Sequence, residues 1–92
     1  MMDLQELREQ IDEIDNCLVE LFQQRMDISV EIARYKQQNN LPVHDPVRER
    51  QKLHELSGKA KEGHEAYITA LYSLIFELSR TEQERILNPE VR

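Results

Sequence analysis

Residues 3–39 read DLQELREQIDEIDNCLVELFQQRMDISVEIARYKQQN and contain neither glycine nor proline. Steps of three and four residues give a heptad stripe of Leu4, Leu7, Ile11, Ile14, Leu18, Leu21, Arg25, Ile28, Ile32 and Tyr35. This stretch predicts one helix of roughly 50 Å. A compact chain of this size has a radius of gyration of only about 12 Å, so the remaining residues cannot cover the helix. We therefore expect a second copy of the chain to cover it.

Residues 39–42 end the first helix, which is predicted at about residues 3–39. Pro42 supports this break, because the residue before a proline disfavours helical conformation. Asp45 followed by Pro46 then supplies an N-cap and a first-turn proline. These residues predict a second helix at about residues 46–60.

A third helix is predicted at about residues 64–86, where Ile68, Leu71, Tyr72, Ile75 and Leu78 have helical spacing. Pro89 is expected to close this helix. Residues 1–92 are thus expected to form a single all-α domain. The predicted chain has one long, one short and one medium helix, and two chains form an intertwined two-fold dimer.

Composition narrows the class of function. The formal net charge of −6 argues against a nucleic-acid surface, which needs clustered lysine and arginine. Cys17 is the sole cysteine, which favours a reducing compartment. Neither a signal peptide nor a membrane-spanning segment is evident, so a cytoplasmic protein without membrane partners is expected. The widely spaced His44, His54 and His64 do not form a zinc motif, and no metal site is expected.

Arg25 needs a partner, because burying an unpaired guanidinium is costly. It can form an ion pair within the chain or set the register of the helix, or it can bind an anion. Lys36 lies eleven residues later, three turns along nearly the same face. Lys36 can instead extend to solvent near the helix end. Two cations along one side of a mostly buried helix favour an anion.

Polar side chains also interrupt the inward faces of the other two helices. Glu49 lies on the inward stripe of the second helix, and Ser79 and Gln83 extend that of the third. Each has a simpler interpretation: Glu49 can form an ion pair, and the other two can be neutral residues at a fraying helix end. Possible partners of Glu49 are Arg50, Lys52 and Arg25. The candidate set is Arg25, Lys36, Asp45, Arg48, Glu49, Ser79 and Gln83.

Four parts of the sequence closely resemble the all-helical, AroQ-class chorismate mutases. They are residues 7–12 (LREQID), Arg25 with Lys36, residues 42–50 (PVHDPVRER), and Ser79 with Gln83. The spacing holds without a gap from Arg8 to Glu49, although the link between the second and third helices is shorter than in some members. The resemblance implies conversion of chorismate to prephenate in phenylalanine and tyrosine biosynthesis, by an intramolecular Claisen rearrangement that needs no cofactor.

The resemblance also implies roles for individual residues. Arg8 and Arg25 would bind the two substrate carboxylates, assisted by Ser79, because an arginine fork can meet a carboxylate with two hydrogen bonds. Lys36 and Gln83 would donate to the ether oxygen, where charge builds as the C–O bond breaks. An amide donates at any pH, so activity is expected to persist through neutral pH.

Glu49 would accept a hydrogen bond from the ring hydroxyl, helped by the backbone at Asp45, with Arg48 supporting the cationic wall. The nearest rival is an isochorismate-pyruvate lyase of the same fold, in which the position of Glu49 is apolar. The other rival is a helical dimerisation or regulatory module without catalysis. Such a module would leave Lys36, Gln83 and Glu49 unexplained.

The position of Arg8 indicates that two chains contribute to each site. It precedes Arg25 by 17 residues, which is about 25 Å along a helix and too far for one small metabolite to span. We therefore expect an antiparallel partner chain to supply its own Arg8 to each site, across the dimer interface.

Overall fold

A computed structural model describes residues 3–88 as three α-helices without a strand. The helices are α1 (Leu4–Gln38), α2 (Pro46–Ser57) and α3 (Glu65–Leu87). The predicted all-α class, with one long, one short and one medium helix, is confirmed. The molecule measures 57 × 27 × 20 Å and has a radius of gyration of 16.8 Å, well above the roughly 12 Å of a compact chain this size.

Both ends of α1 are capped by nearby polar groups. The Asp3 side chain accepts a hydrogen bond from the backbone N–H of Glu6 at 2.9 Å. At the other end Asn40 is in the left-handed region, with φ of 57°. The N–H of Leu41 then donates to the carbonyl of Lys36 at 2.8 Å, as in a Schellman motif. Asparagine tolerates this conformation, so the chain turns sharply just after the helix.

Helix α2 begins at Pro46 and ends at Ser57, within the range of about residues 46–60 given for it from sequence. After Gly58, the N–H groups of Lys59 and Ala60 bond to carbonyls three residues back, so the chain tightens into turns. Helix α3 begins at Glu65 and ends at Leu87. Pro89, which was expected to close it, lies outside the described residues.

The packing of α1 on α3 uses a face of α1 that the heptad stripe does not include. Val30 and Ala33 of α1 are buried, as are Phe76 and Ser79 of α3. Helices α1 and α2 each pack against α3, and α2 contributes no fully buried residue. Arg25 therefore lies at the border between the face that packs on α3 and the stripe.

The first half of α1 extends beyond the other helices, and every residue from 3 to 21 is exposed. Six large aliphatic side chains of the stripe lie on this extension with between 48% and 61% of their surface exposed, namely Leu4, Leu7, Ile11, Ile14, Leu18 and Leu21. This apolar strip has no cover within the described chain. Within residues 3–88, no helix is both long and apolar enough to cross a membrane.

Candidate active site

A cleft of about 290 Å³ lies between the second half of α1, the start of α2 and the end of α3. Its lining includes seven of the eight residues predicted from sequence, namely Arg25, Lys36, Asp45, Arg48, Glu49, Ser79 and Gln83. Ile28, Ile32, Val43 and Phe76 supply apolar walls. The three helices thus bring together side chains that are up to 58 residues apart in the sequence.

Arg25 lies against α3. Its Nη1 donates to the Ser79 hydroxyl at 3.3 Å, and its guanidinium carbon is 5.3 Å from the ring centroid of Phe76 and 5.9 Å from that of Tyr72. Aromatic faces attract a guanidinium and hold it in place. Arg25 was a possible partner of Glu49, but the two do not form an ion pair within residues 3–88, where Glu49 is paired with another cation.

Two hydrogen-bond donors lie further along the cleft. The Nζ of Lys36 donates to the carbonyl of Val43 at 3.5 Å, so this side chain turns back over the cleft rather than out to solvent. The Nε2 of Gln83 donates to the carbonyl of Ser29 at 3.2 Å. An ammonium has three N–H groups and an amide has two, so each residue keeps at least one donor for a ligand.

The start of α2 forms the opposite wall. The carboxylate of Asp45 accepts from the N–H of Arg48 at 3.0 Å, and its backbone carbonyl accepts from the N–H of Glu49 at 3.1 Å. The N-cap therefore orients the first turn, from which Arg48 and Glu49 point into the cleft. Because Asp45 is used as the cap, its side chain has a structural role here.

The partner of Glu49 is none of the candidates that the sequence offered, which were Arg50, Lys52 and Arg25. The Nη1 of Arg80, on α3, forms a hydrogen-bonded ion pair with Glu49 Oε1, and His44 Nε2 lies 3.9 Å from the same oxygen. Arg80 follows the buried Phe76 by four residues and precedes Gln83 by three. That helical spacing is the signal that places Arg80 on the cleft side of α3.

Unpaired positive charge distinguishes this cleft from the acidic rest of the chain. Its lining carries five cationic side chains, Arg25, Lys36, Arg48, Lys52 and Arg80, and two carboxylates, Asp45 and Glu49. Among the ion pairs of residues 3–88, Arg80 pairs with Glu49, and Lys52 pairs with Glu55. The pKa of the Glu55 carboxyl is lowered, chiefly by the hydrogen bond and charge of Lys52, with a further contribution from Lys59. Arg25, Lys36 and Arg48 remain without a carboxylate in this part of the chain.

Arg8 is the predicted site residue that the cleft does not include. It lies on the exposed extension of α1, 17 residues before Arg25. At about 1.5 Å per residue the two positions are about 25 Å apart. Arg8 of the same chain therefore cannot reach a ligand bound at Arg25.

The chemistry open to the cleft is binding and polarisation of an anion. The Ser29 hydroxyl donates to the carbonyl of Met26 at 2.8 Å, and the Ser79 hydroxyl accepts from Arg25, so neither lining serine is bonded to a base. Three cations without a carboxylate partner within residues 3–88, together with the neutral donor of Gln83, suit a compact polyanion in which charge develops on oxygen. No group of three or more potential metal ligands occurs within residues 3–88.

The sequence pattern of the chorismate mutase type II family matches residues 7–84. The chain belongs to this family. This confirms the resemblance seen in the sequence. The matched region spans all three helices and contains Arg8, the cleft and Gln83.

Curated relatives agree with this chorismate mutase assignment. The chain is 38% identical over 88 residues to a bifunctional chorismate mutase/prephenate dehydratase of Buchnera aphidicola from Schizaphis graminum, covering 94% of the chain and 23% of the relative. The corresponding protein of Escherichia coli is 39% identical over 83 residues, 88% of the chain and 22% of the relative. A chorismate mutase of Methanocaldococcus jannaschii is 40% identical over 47 residues, 51% of the chain and 48% of the relative. The chain thus spans less than a quarter of the length of these bifunctional relatives.

Proposed function

We propose that this chain catalyses the intramolecular Claisen rearrangement of chorismate to prephenate, a step of phenylalanine and tyrosine biosynthesis. The observation that carries the proposal is the cleft in which Arg25, Lys36 and Arg48 have no carboxylate partner among residues 3–88 while Gln83 presents a neutral donor. A pericyclic rearrangement needs neither a nucleophile nor a proton transfer. It needs a flexible dianion held in a chair-like conformer, with donors aimed at the ether oxygen.

Arg25 binds one substrate carboxylate in this proposal. Its side chain is held between Ser79 and two aromatic rings, so little conformational freedom is lost when the ligand arrives. The Ser79 hydroxyl, already bonded to Arg25, assists at the same carboxylate. A guanidinium can make two parallel hydrogen bonds to a carboxylate, which fixes the orientation of the substrate as well as its position.

Lys36 and Gln83 stabilise the ether oxygen as the C–O bond breaks. Each is oriented by a hydrogen bond to a backbone carbonyl of this chain, that of Val43 for Lys36 and that of Ser29 for Gln83. Donors that are oriented in advance act on developing charge without reorganisation during the reaction. Arg48 adds positive charge to the wall, and Glu49 accepts from the ring hydroxyl, next to the backbone of Asp45.

The second substrate carboxylate is bound by Arg8 of a second chain. The apolar strip on the extension of α1 supports a dimer, because about half of each aliphatic side chain is left in water by the single chain. Burying the exposed part of each would contribute on the order of 1 kcal/mol per side chain. Antiparallel packing of two such extensions brings each Arg8 toward the other chain's Arg25.

A direct assay tests the proposed reaction. Loss of chorismate is followed with the purified chain, and the product, an isomer of the same mass, is identified by its acid-catalysed conversion to phenylpyruvate. We expect prephenate from chorismate, and no salicylate or pyruvate from isochorismate. Release of pyruvate and salicylate would support the lyase instead, and no turnover of either substrate would support a non-catalytic module.

Replacing Gln83 by glutamate should shift the optimum of turnover toward acid. The amide donates at every pH, whereas a carboxyl group donates only when it is protonated. An ordinary glutamic acid side chain loses its proton at about pH 4. Activity of the Gln83→Glu variant should therefore fall as the pH rises, while the parent stays active through neutral pH. The pH profile of kcat measures this. A profile identical to that of the parent would contradict contact between Gln83 and the ether oxygen.

A further inference from the structure

Arg80 has no role in the function proposed above, yet it makes the ion pair that links α2 to α3 inside the cleft. Its Nη1 contacts Oε1 of Glu49, and both side chains are partly buried, with 38% and 27% of their surface exposed. His44 Nε2 lies 3.9 Å from the same Oε1. The hydrogen bond from Arg80 falls on Oε1, and within residues 3–88 no side-chain hydrogen bond falls on Oε2.

We propose that Arg80 is a positioning residue that holds Glu49 by Oε1 and leaves Oε2 to accept the hydrogen bond from the substrate's ring hydroxyl. The inference rests on the proposed function, because it assigns a purpose to Glu49 in that reaction. The Asp45 cap orients the backbone of the first turn of α2, but the glutamate side chain still has three rotatable bonds, and α2 contains no fully buried residue. The guanidinium of Arg80, on α3, restricts rotation of the Glu49 side chain by binding Oε1, the carboxylate oxygen that the substrate does not use in this proposal.

The same ion pair also adjusts the charge of the cleft. A bare carboxylate would repel a substrate dianion, and the repulsion between unit charges is appreciable at the short distances inside a cleft. Arg80 offsets the charge of Glu49 without occupying Oε2. Glu49 can then act as an acceptor for a neutral hydroxyl while Arg25, Lys36 and Arg48 attract the anion.

A double-mutant cycle separates positioning through Glu49 from a merely structural link between helices. Four proteins are compared for kcat/KM with chorismate: the parent, Arg80→Met, Glu49→Gln and the double variant. We expect Arg80→Met to lower kcat/KM about ten-fold in the parent, and no more than about two-fold when Glu49 is already glutamine. Equal factors in both backgrounds would overturn the proposal, since Arg80 would then act independently of Glu49.

Two further variants make the result specific. Arg80→Lys keeps the positive charge and should retain most of kcat/KM. An active Arg80→Lys variant also shows that a substitution at this position is compatible with folding, should Arg80→Met fail to fold. Arg85→Met removes another arginine of α3, one paired with Glu82 at 2.7 Å outside the cleft, and should leave kcat/KM unchanged. Circular dichroism checks folding in each case.

The outcomes also separate this proposal from the function on which it rests. A parent chain that does not convert chorismate would overturn the proposed function before any variant is compared. An active parent with a fully active Arg80→Met variant would overturn the role of Arg80 alone.

Discussion

Replacing Arg25 by alanine is expected to lower kcat with chorismate by about two to three orders of magnitude, the usual cost of removing one oriented donor from a site of this kind. The loss is large because a guanidinium contributes both charge and two hydrogen bonds to one substrate carboxylate. The fold should survive. Arg25 is only half-buried, and its polar and ring contacts among residues 3–88 are one hydroxyl at 3.3 Å and two aromatic rings.

Lys36→Ala should lower kcat to a similar extent, because the ammonium acts on the ether oxygen as charge develops. Its hydrogen bond to the carbonyl of Val43 is long, at 3.5 Å. Steady-state kinetics give kcat and KM for both variants, and circular dichroism gives their helix content and thermal midpoint. Loss confined to kcat would indicate contacts made mainly in the transition state.

Matched controls use the same residue types at exposed positions outside the cleft. Arg34→Ala changes an exposed arginine of α1 that does not line the cleft, and Lys61→Ala changes an exposed lysine between α2 and α3. Both should keep the parent's kcat. If Arg25→Ala and Lys36→Ala also kept it, the assignment of the cleft as the active site would be wrong.

Mixing two inactive variants should restore activity if each site takes Arg8 from the other chain. Arg8→Ala and Arg25→Ala chains are unfolded together and refolded as a mixture, so that half of the dimers contain one chain of each kind. In such a mixed dimer one site has both arginines and the other has neither. About a quarter of all sites are then intact, so about a quarter of the parent's kcat per chain should return.

The control mixes two variants whose changed residues, Arg25 and Lys36, both lie in the cleft that a single chain forms. A mixture of Arg25→Ala and Lys36→Ala chains leaves every site lacking one cation, so it should stay inactive. Activity in that mixture, or none in the first, would rule out sites shared in this way. Sedimentation at micromolar concentration provides a separate measurement, and a monomeric parent would contradict the dimer directly.

Much of the fold could be predicted because it depends on neighbours in the sequence. The absence of glycine and proline before Pro42, the cap at Asp45 and the helical spacing of α3 are local features, and the helices follow them. The end of α2 was less predictable. After Gly58, the N–H groups of Lys59 and Ala60 bond to the carbonyls three residues back. Such turns differ from a continued α-helix by only a small local rearrangement of the backbone.

The residue types of the candidate site could also be found in the sequence, by their interruption of apolar faces and by the resemblance. Seven of the eight line one cleft. Their pairings could not be found in the same way. Glu49 and Arg80 are 31 residues apart, and whether they meet depends on the angle and separation of α2 and α3. Several cations near Glu49 in the sequence were equally plausible partners.

Three helices, the break near Pro42 and a long apolar stripe that one chain cannot cover all follow from the order of the residues. Only the packing of whole helices buries Val30 and Ala33, which are not in the stripe, against α3, and pairs Glu49 with Arg80 rather than Arg25. The physical reason is that helix formation depends on contacts within a turn or two of one chain segment. Packing instead selects, among several apolar faces and several free charges, those that fit together when whole helices meet.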